Sequence, residues 1–356
     1  MNTAGKKLKG RGTANAVNAR YLGFQREVFY DEWETQNEND KVITEVTEEK
    51  ARTIISRNTS PDIPFELSIN PYRGCEHGCN YCYARPSHAY LDLSPGIDFE
   101  TRLSAKVNAA ELLLNELAKP AYVCSPIAMG TNTDPYQPIE RDHKITRNII
   151  EVLAKHHHPL TIVTKSRLIQ RDIDLLSEMA KQNLVQVFIS VTTLDAELAQ
   201  SMEPRASAPF RRVETIKALN DAGVPTGLMF APIIPCVNDA EMEKIIETCV
   251  TAGALTAGYV MLRLPHEVKD LFREWLEINF PLKKDHVMSM IMDLREGKDY
   301  DSKFHARMRG SGVYASMIRK RFEHSCKSQG INQKRYELCR DKFQPPQLSG
   351  SQQSLF

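Results

Sequence analysis

No apolar run in the 356 residues approaches the roughly 20 residues that a membrane-spanning helix needs. The opening MNTAGKKLKGRGTANAVNAR lacks the apolar core of a secretory signal. Nothing repeats at a solenoid period. Eight cysteines in a chain of this size are no disulfide scaffold. Together these absences predict a cytoplasmic protein with reduced thiols and no membrane contact. One more absence is chemical. Cys75, Cys79 and Cys82 stand in NPYRGCEHGCNYCYARP as Cys-x3-Cys-x2-Cys, and no fourth cysteine follows within the next forty residues.

A structural zinc site wants four ligands, often as two pairs, and a ferredoxin-type cubane wants four thiolates. Three thiolates in one short loop hold three corners of a 4Fe–4S cluster and leave the fourth iron open. An open iron binds and activates a substrate, whereas a closed cluster mainly passes electrons, so the loop points to chemistry.

The 42% hydrophobic fraction is that of a globular chain able to bury one large core or two modest ones. Net charge is only +1, but it is segregated. Residues 1–26 carry Lys6, Lys7, Lys9, Arg11, Arg20 and Arg26 with no acid, and residues 27–50 hold nine acids against two lysines. Residues 303–342 hold eleven basic residues and three acids. A basic arm and a basic extension meet a polyanion or form solvated faces; composition leaves both open.

From about Phe65 strands and helices alternate. Strand candidates are residues 66–70, 121–129, 160–165, 184–193, 225–234 and 254–264, several of them continuous apolar or β-branched runs suited to parallel strands covered on both faces. Helical spacing marks 107–117, 145–154, 173–181, 210–221 and 239–251, with Gly223 and Gly253 at helix-ending positions. Further helices are expected at 267–276 and 286–294 and within 303–342. Six βα units imply an α/β fold, a partial (βα)6 TIM-like barrel, since a closed barrel takes eight. The expected organisation is an N-terminal arm over 1–60, partly flexible; a core over 61–300; a basic helical C-terminal extension over 301–342; and a flexible tail over 343–356.

The cysteine triplet ahead of six βα units resembles the radical S-adenosylmethionine superfamily. The wider words TSPDIPFELSINPYRGCEHGCNYCYARP, TDPYQPIE, TIVTKS and EPRASAPFRRVETIKALNDAGVPTG resemble its uncharacterised bacterial branch related to spore photoproduct lyase, often labelled DNA repair photolyase-like. The resemblance covers roughly residues 55–300. It implies that the open iron is chelated by S-adenosylmethionine, and that one electron then cleaves the sulfonium to methionine and a 5′-deoxyadenosyl radical.

Residue by residue, the resemblance puts Tyr81 beside the adenine and Thr133 and Asp134 at the end of strand two, near the methionyl amine. Lys165, 32 residues after Thr133, and Ser190 stand where spore photoproduct lyase contacts its cofactor. Glu203 and Arg205 are candidates for ribose or carboxylate contact. The chain departs from the pattern at Thr131, where that lyase has the cysteine that returns a hydrogen atom to thymine. A threonine O–H bond is too strong to do so, which puts photoproduct repair by that route in doubt. Cys236, after strand five, is the alternative hydrogen donor, and Cys124, expected buried in strand two, is a weaker one.

Other features have plainer readings. His77 is expected to be exposed. His156, His157 and His158 end a helix rather than form a metal tract. Cys326 and Cys339 lack a partner pair for zinc or an auxiliary cluster. Gln352-Gln353-Ser354-Leu355-Phe356 resembles the pentapeptide by which bacterial repair and replication proteins dock on the sliding clamp, Gln352, Leu355 and Phe356 being its anchors. The resulting expectation is a radical S-adenosylmethionine enzyme acting on DNA, a damaged or modified base, with a flavodoxin or ferredoxin as electron donor. The alternatives are the same chemistry on RNA or a peptide, and a non-enzymatic iron–sulfur DNA-binding sensor.

Overall fold

A computed structural model describes residues 10–13, 17, 19–21, 42–333 and 336–347. Its ten strands are β1 (Glu45–Glu49), β2 (Ile55–Arg57), β3 (Leu67–Ile69), β4 (Tyr72–Arg73), β5 (Arg102–Lys106), β6 (Ile127–Met129), β7 (Leu160–Thr164), β8 (Val185–Ser190), β9 (Thr226–Ile233) and β10 (Thr256–Met261). Seven of them form one sheet in the order β10-β9-β8-β7-β6-β3-β2. From β3 to β10 all neighbours are parallel, and β2 closes the edge antiparallel to β3. Each new strand is laid beside the previous one, the outcome of successive crossovers of one hand. The sheet stays open between β10 and β2, so the expected partial (βα)6 barrel is what the chain forms.

The core explains why. Ile127, Met129, Leu160, Ile162, Val185, Val187, Leu228 and Phe230 are buried from the strands. Ile149, Ile150 and Leu153 from helix Ile145–Lys155 meet them, as do Leu176 and Met179 from Ile173–Lys181 and Ile245 and Ile246 from Met242–Thr251. Each such side chain removed from water contributes about 1.5–3 kcal/mol. Gly223 and Gly253 end their helices with φ of +77° and +107°, as their positions predict.

Strand two is shorter than its apolar run. Only Ile127–Met129 pair, because Pro120 and Pro126 bring no N–H to a ladder. Cys124 accordingly lies outside the strand and is half-exposed, not buried within it. A second sheet, in the order β1-β5-β4, has no counterpart in the sequence reading. Its strand β1 (EVTEE) is short, charged and mostly exposed, so apolar periodicity could not reveal it. This sheet carries the cysteine loop, which leaves directly from β4.

Helices Val268–Asn279, Lys284–Asp293 and Gly312–Ser328 follow the barrel. Residues 336–347 then strap across the ends where the strands begin. Cys339 N donates to Asn183 O (2.8 Å) and Gln344 N to His156 O (3.0 Å). Cys326 and Cys339 pack into the main core, and no group of three or more His, Cys, Asp or Glu among the described residues surrounds a single-ion site. His156 caps its helix as expected, whereas His158 is fully buried, 5.1 Å from the Phe343 ring centroid. Tyr122 hydroxyl donates to His158 Nε2 (2.7 Å), and Nδ1 donates to Pro159 O (3.0 Å). Among the described residues no helix is long and apolar enough to cross a membrane.

Burial depresses the His158 imidazole from 6.5 to about 4. Between those values the unfolded chain takes up the proton first, so stability is lost as pH falls through the window, by about 1.4 kcal/mol per pH unit. His158→Phe fills the same space without titrating. It is expected to cost about 1 kcal/mol at pH 7 through the lost Tyr122 bond, and to flatten the acid slope of the urea midpoint between pH 6.5 and 4.

Candidate active site at the cysteine loop

The loop is built on backbone hydrogen bonds, and none of its cysteines is tied up in a disulfide. Cys75 N donates to Phe99 O (2.8 Å) and Cys82 N to Cys79 O (3.3 Å). Gln137 grips the start of the loop on either side of Cys75, accepting from Glu76 N (2.9 Å) and donating to Gly74 O (3.1 Å). Gly74 has φ +74°, and a Cβ there would lie 2.5 Å from Leu103 Cδ2, so no larger residue fits the turn. Arg85, fully buried, donates from Nε to Cys79 O (2.8 Å) and from Nη2 to Glu100 (2.5 Å). Cys75 and Cys79 are buried and Cys82 is half-buried.

Burial pushes the Cys75 thiol well up, opposed by the backbone N–H groups of Asp134 and His77. Burial pushes Cys79 up to about 12, opposed chiefly by Lys165. Two enclosed thiols, Cys75 and Cys79, that are costly to ionise alone, with N–H donors and an ammonium near them, fit thiolates neutralised by a cluster. The thiolates of a cubane sit on separate irons, so they need not converge on one point.

Around the loop the strand ends bring a charged group together. Tyr81 hydroxyl and Arg212 both donate to Glu203, which also accepts from Thr192 Oγ1 (3.0 Å). Glu203 and Arg212 are both buried. Burial alone would raise the Glu203 carboxyl, but Arg212 and Lys165 hold it below the usual carboxylate range. Lys165 Nζ lies 5.9 Å from the Tyr81 ring centroid. Burial lowers the Lys165 ammonium, yet Cys79 and Glu203 more than offset this and raise it. Tyr81, Lys165 and Glu203 are thus assembled beside Cys79. Ser190 is buried at the end of β8, and its carbonyl accepts from Arg212 (3.2 Å).

Asp134 occupies a different place from Glu203. Its carboxylate accepts from Thr164 Oγ1 (2.7 Å), Lys165 N (2.8 Å) and Tyr136 N (2.9 Å), and pairs with His77 Nδ1 (3.3 Å). Burial would raise it, but His77 and these donors depress it to about 2. Asp134 therefore ties the ends of β6 and β7 to the cysteine loop. His77 is buried in this tie and not exposed, because its charge partner lies under the loop. Thr133 Oγ1 donates to Tyr72 O (3.2 Å). Arg205 pairs with Glu76 (2.9 Å). Thr131 accepts the Tyr83 hydroxyl at its carbonyl. Cys236, after β9, packs with part of its surface against the apolar cluster that includes Cys79 and Tyr81. Burial and Asp239 raise its thiol.

The sequence reading missed Arg212, Arg85 and Arg263. Arg212 had a signal: Pro209, Arg212, Thr215, Ile216 and Leu219 form one helical stripe, all buried, and an arginine on such a stripe needs an internal acid. Arg263 follows β10 and stacks 4.7 Å from the Tyr83 ring centroid.

All these groups stand at the C-terminal ends of the parallel strands, where barrels of this kind place their chemistry. The sequence profile of the Radical SAM superfamily matches residues 69–249, just over half the chain, and the protein belongs to that superfamily. An uncharacterised protein of Mycobacterium tuberculosis is 38% identical over 216 residues, covering 60% of this chain and 64% of the relative; the match thus spans less than two thirds of that relative. An uncharacterised protein of Methanocaldococcus jannaschii is 29% identical over 243 residues, 68% of this chain and 86% of its own. Spore photoproduct lyase complexed with dinucleoside spore photoproduct shares the fold, with a TM-score of 0.56 at 15% identity over 80% of this chain and 79% of the lyase.

Members of this superfamily use a 4Fe–4S cluster and S-adenosylmethionine, and the buried thiols and polar groups of this site fit both. When bound, these would supply one-electron radical chemistry. Cys75, Cys79 and Cys82 would hold the cluster. The chain itself supplies enclosure, through the buried loop, and a fixed polar wall formed by Tyr81, Glu203 and Lys165.

Proposed function

We propose that this protein is a radical S-adenosylmethionine enzyme that acts on DNA, on a damaged or modified base. The observation that carries the reading is Arg263 at the mouth of the barrel. It has no carboxylate partner among the described residues: Nε is buried without a hydrogen bond, and the other nitrogens reach only Met308 Sδ (3.5 Å) and Tyr300 hydroxyl (3.4 Å). The Arg263 guanidinium lies over the Tyr83 ring, 4.7 Å from the centroid, so a cation covers an aromatic face in the residue next to Cys82. A cation–aromatic platform of this kind suits a phosphate and its base. The solved lyase that shares the fold is complexed with a dinucleoside photoproduct, which supports the same substrate class.

The basic extension contributes less than its composition implies. Arg307 pairs with Asp62 (2.6 Å), Arg321 with Glu243 (2.7 Å) and Lys303 with Glu296 (3.1 Å). Arg319, Lys320 and Lys327 remain exposed along helix Gly312–Ser328 and are the groups offered to a DNA backbone. In this reading Thr133 and Ser190 complete the cofactor seat and Arg205 borders it. Cys236 is the candidate hydrogen donor in place of Thr131, and a flavodoxin or ferredoxin delivers the electron. The clamp-docking anchors Gln352, Leu355 and Phe356 lie outside the described residues, as does most of the 1–60 arm. The arm, core and extension boundaries stand as part of the proposal, whereas residues 343–347 belong to the ordered strap and not to the flexible tail expected from 343.

Arg263→Gln is expected to weaken DNA binding about tenfold at moderate salt and to lower the salt slope by about one. Fluorescence anisotropy across a salt series measures both. The reaction itself is tested with deuterated DNA and the reconstituted enzyme. Label in 5′-deoxyadenosine supports the reading, whereas label arriving only from RNA or peptide substrates sinks it.

A further inference from the structure

Residues 10–13 do not extend toward a ligand: they are packed into the back of the cysteine loop. Arg11 is only 5% exposed. It donates to Glu100 O (2.9 Å), Val42 O (2.6 Å) and Thr44 Oγ1 (3.0 Å). Gly12 N and Thr13 Oγ1 both donate to the fully buried Glu100 carboxylate, at 2.9 and 3.1 Å. That carboxylate accepts from Arg85, whose Nε holds Cys79 O. A second route runs from Arg11 through Thr44 to Glu76 (2.6 Å), and from Glu76 to Arg205. Two hydrogen-bonded paths therefore lead from this short segment into the cysteine loop, one to Cys79 and one to the residue after Cys75.

The contact is backbone on backbone. A Cβ added at Gly12 would lie 1.6 Å from Gly78 O, and one at Gly78 would lie 2.8 Å from Glu100 Oε2 and 3.2 Å from Gly12 N. Gly78 also has φ +68°. Two glycines are thus needed for the segment to seat at all. Glu100 depends on it too, since without Gly12 and Thr13 this buried carboxylate loses two of its donors.

We propose that Arg11, Gly12 and Thr13 form a clamp that positions the cysteine loop and closes its rear face to solvent, so that the lifetime and environment of the cluster depend on a segment remote in sequence. These are positioning residues acting through Glu100 and Arg85, and the inference rests on the family reading that the loop holds a cluster. With the clamp displaced, the loop opens locally more often, and water and oxygen reach the iron without any ligand having been removed.

The test uses full-length protein reconstituted anaerobically with iron and sulfide. Gly12→Val is expected to bind the cluster to the same iron content but to bleach in air about tenfold faster, the factor that about 1.4 kcal/mol of lost local stability gives. Its cluster is also expected to show an altered electron paramagnetic resonance spectrum after reduction. Thr13→Val should bleach several-fold faster and Thr13→Ser at the native rate, because only the hydroxyl is at issue. Hydrogen exchange at residues 74–82 should rise in Gly12→Val while the barrel strands keep their protection, which separates loop opening from failure to fold. Native bleaching rates, spectra and exchange in Gly12→Val overturn the clamp. Failure of the unaltered protein to bind iron and sulfide overturns instead the reading on which it rests.

Discussion

Cys79→Ala is expected to abolish formation of 5′-deoxyadenosine from S-adenosylmethionine while leaving the protein folded. Both hydrogen bonds that Cys79 makes to hold the loop, from Cys82 N and Arg85 Nε, end on its carbonyl oxygen and survive the substitution. What is lost is one sulfur, buried against Tyr81 and Met202, a truncation that costs about 1 kcal/mol on the scale of single core changes. Activity, by contrast, falls by orders of magnitude, because three thiolates already form an incomplete set and two do not hold the cluster in a defined place. After anaerobic reconstitution the variant should lack the brown absorbance and the iron of the unaltered protein. Cys249→Ala is the control: Cys249 is also buried but belongs to the main core, and it should retain both. Equal iron and equal cofactor cleavage in Cys79→Ala contradict the assignment of the loop.

The parts of this molecule that were legible in the sequence are those written as periodicity or as a close-set motif. The parallel strands run through continuous apolar segments, and helix Ile173–Lys181 is bounded as its leucine and methionine spacing predicts. The cysteine spacing, set ahead of six βα units, is what points to a cluster. What stayed hidden depends on contacts between distant residues. The second sheet rests on β1, whose charged residues show no apolar alternation. Arg11 reads as one more cation of a basic arm, and only the fold shows that Glu100, 89 positions away, buries it. His77 reads as a loop-surface residue until Asp134 is brought beneath it. Asp134 and Glu203 look alike as candidate cofactor ligands, yet the fold assigns them different surroundings. Asp134 is consumed by backbone donors and His77, whereas Glu203 faces Tyr81, Arg212 and the side of Lys165.

Glu203→Ala is expected to be the most destabilising single change near the site. It leaves Arg212, 1% exposed, without its carboxylate, and the hydroxyls of Tyr81 and Thr192 without their acceptor. Breaking a buried ion pair by removing one partner costs about 3–5 kcal/mol, because the remaining charge stays desolvated. Arg212→Ala exposes the mirror-image problem, a buried carboxylate with only Lys165 nearby. Removing both partners in Glu203→Ala/Arg212→Ala should cost less than the sum of the two, and the shortfall in the urea midpoints measures their coupling. Additive single-variant costs contradict the pairing. The pH dependence gives an independent check. Burial opposes ionisation of Glu203, but Arg212, Lys165 and Tyr81 outweigh it, so the folded carboxyl titrates below its ordinary 4.5. Its stabilising contribution is therefore complete above about pH 4.5 and is lost as pH falls through the lower folded value. Glu203→Gln keeps the shape and loses this titration, so its stability at pH 7 should fall below the unaltered protein's while its decline below pH 4.5 becomes shallower. The same variant also frees Tyr81 from its carboxylate acceptor. A raised half-saturating concentration of S-adenosylmethionine in Glu203→Gln, at unchanged iron content, would connect this stability network to the cofactor seat proposed beside Tyr81 and Lys165.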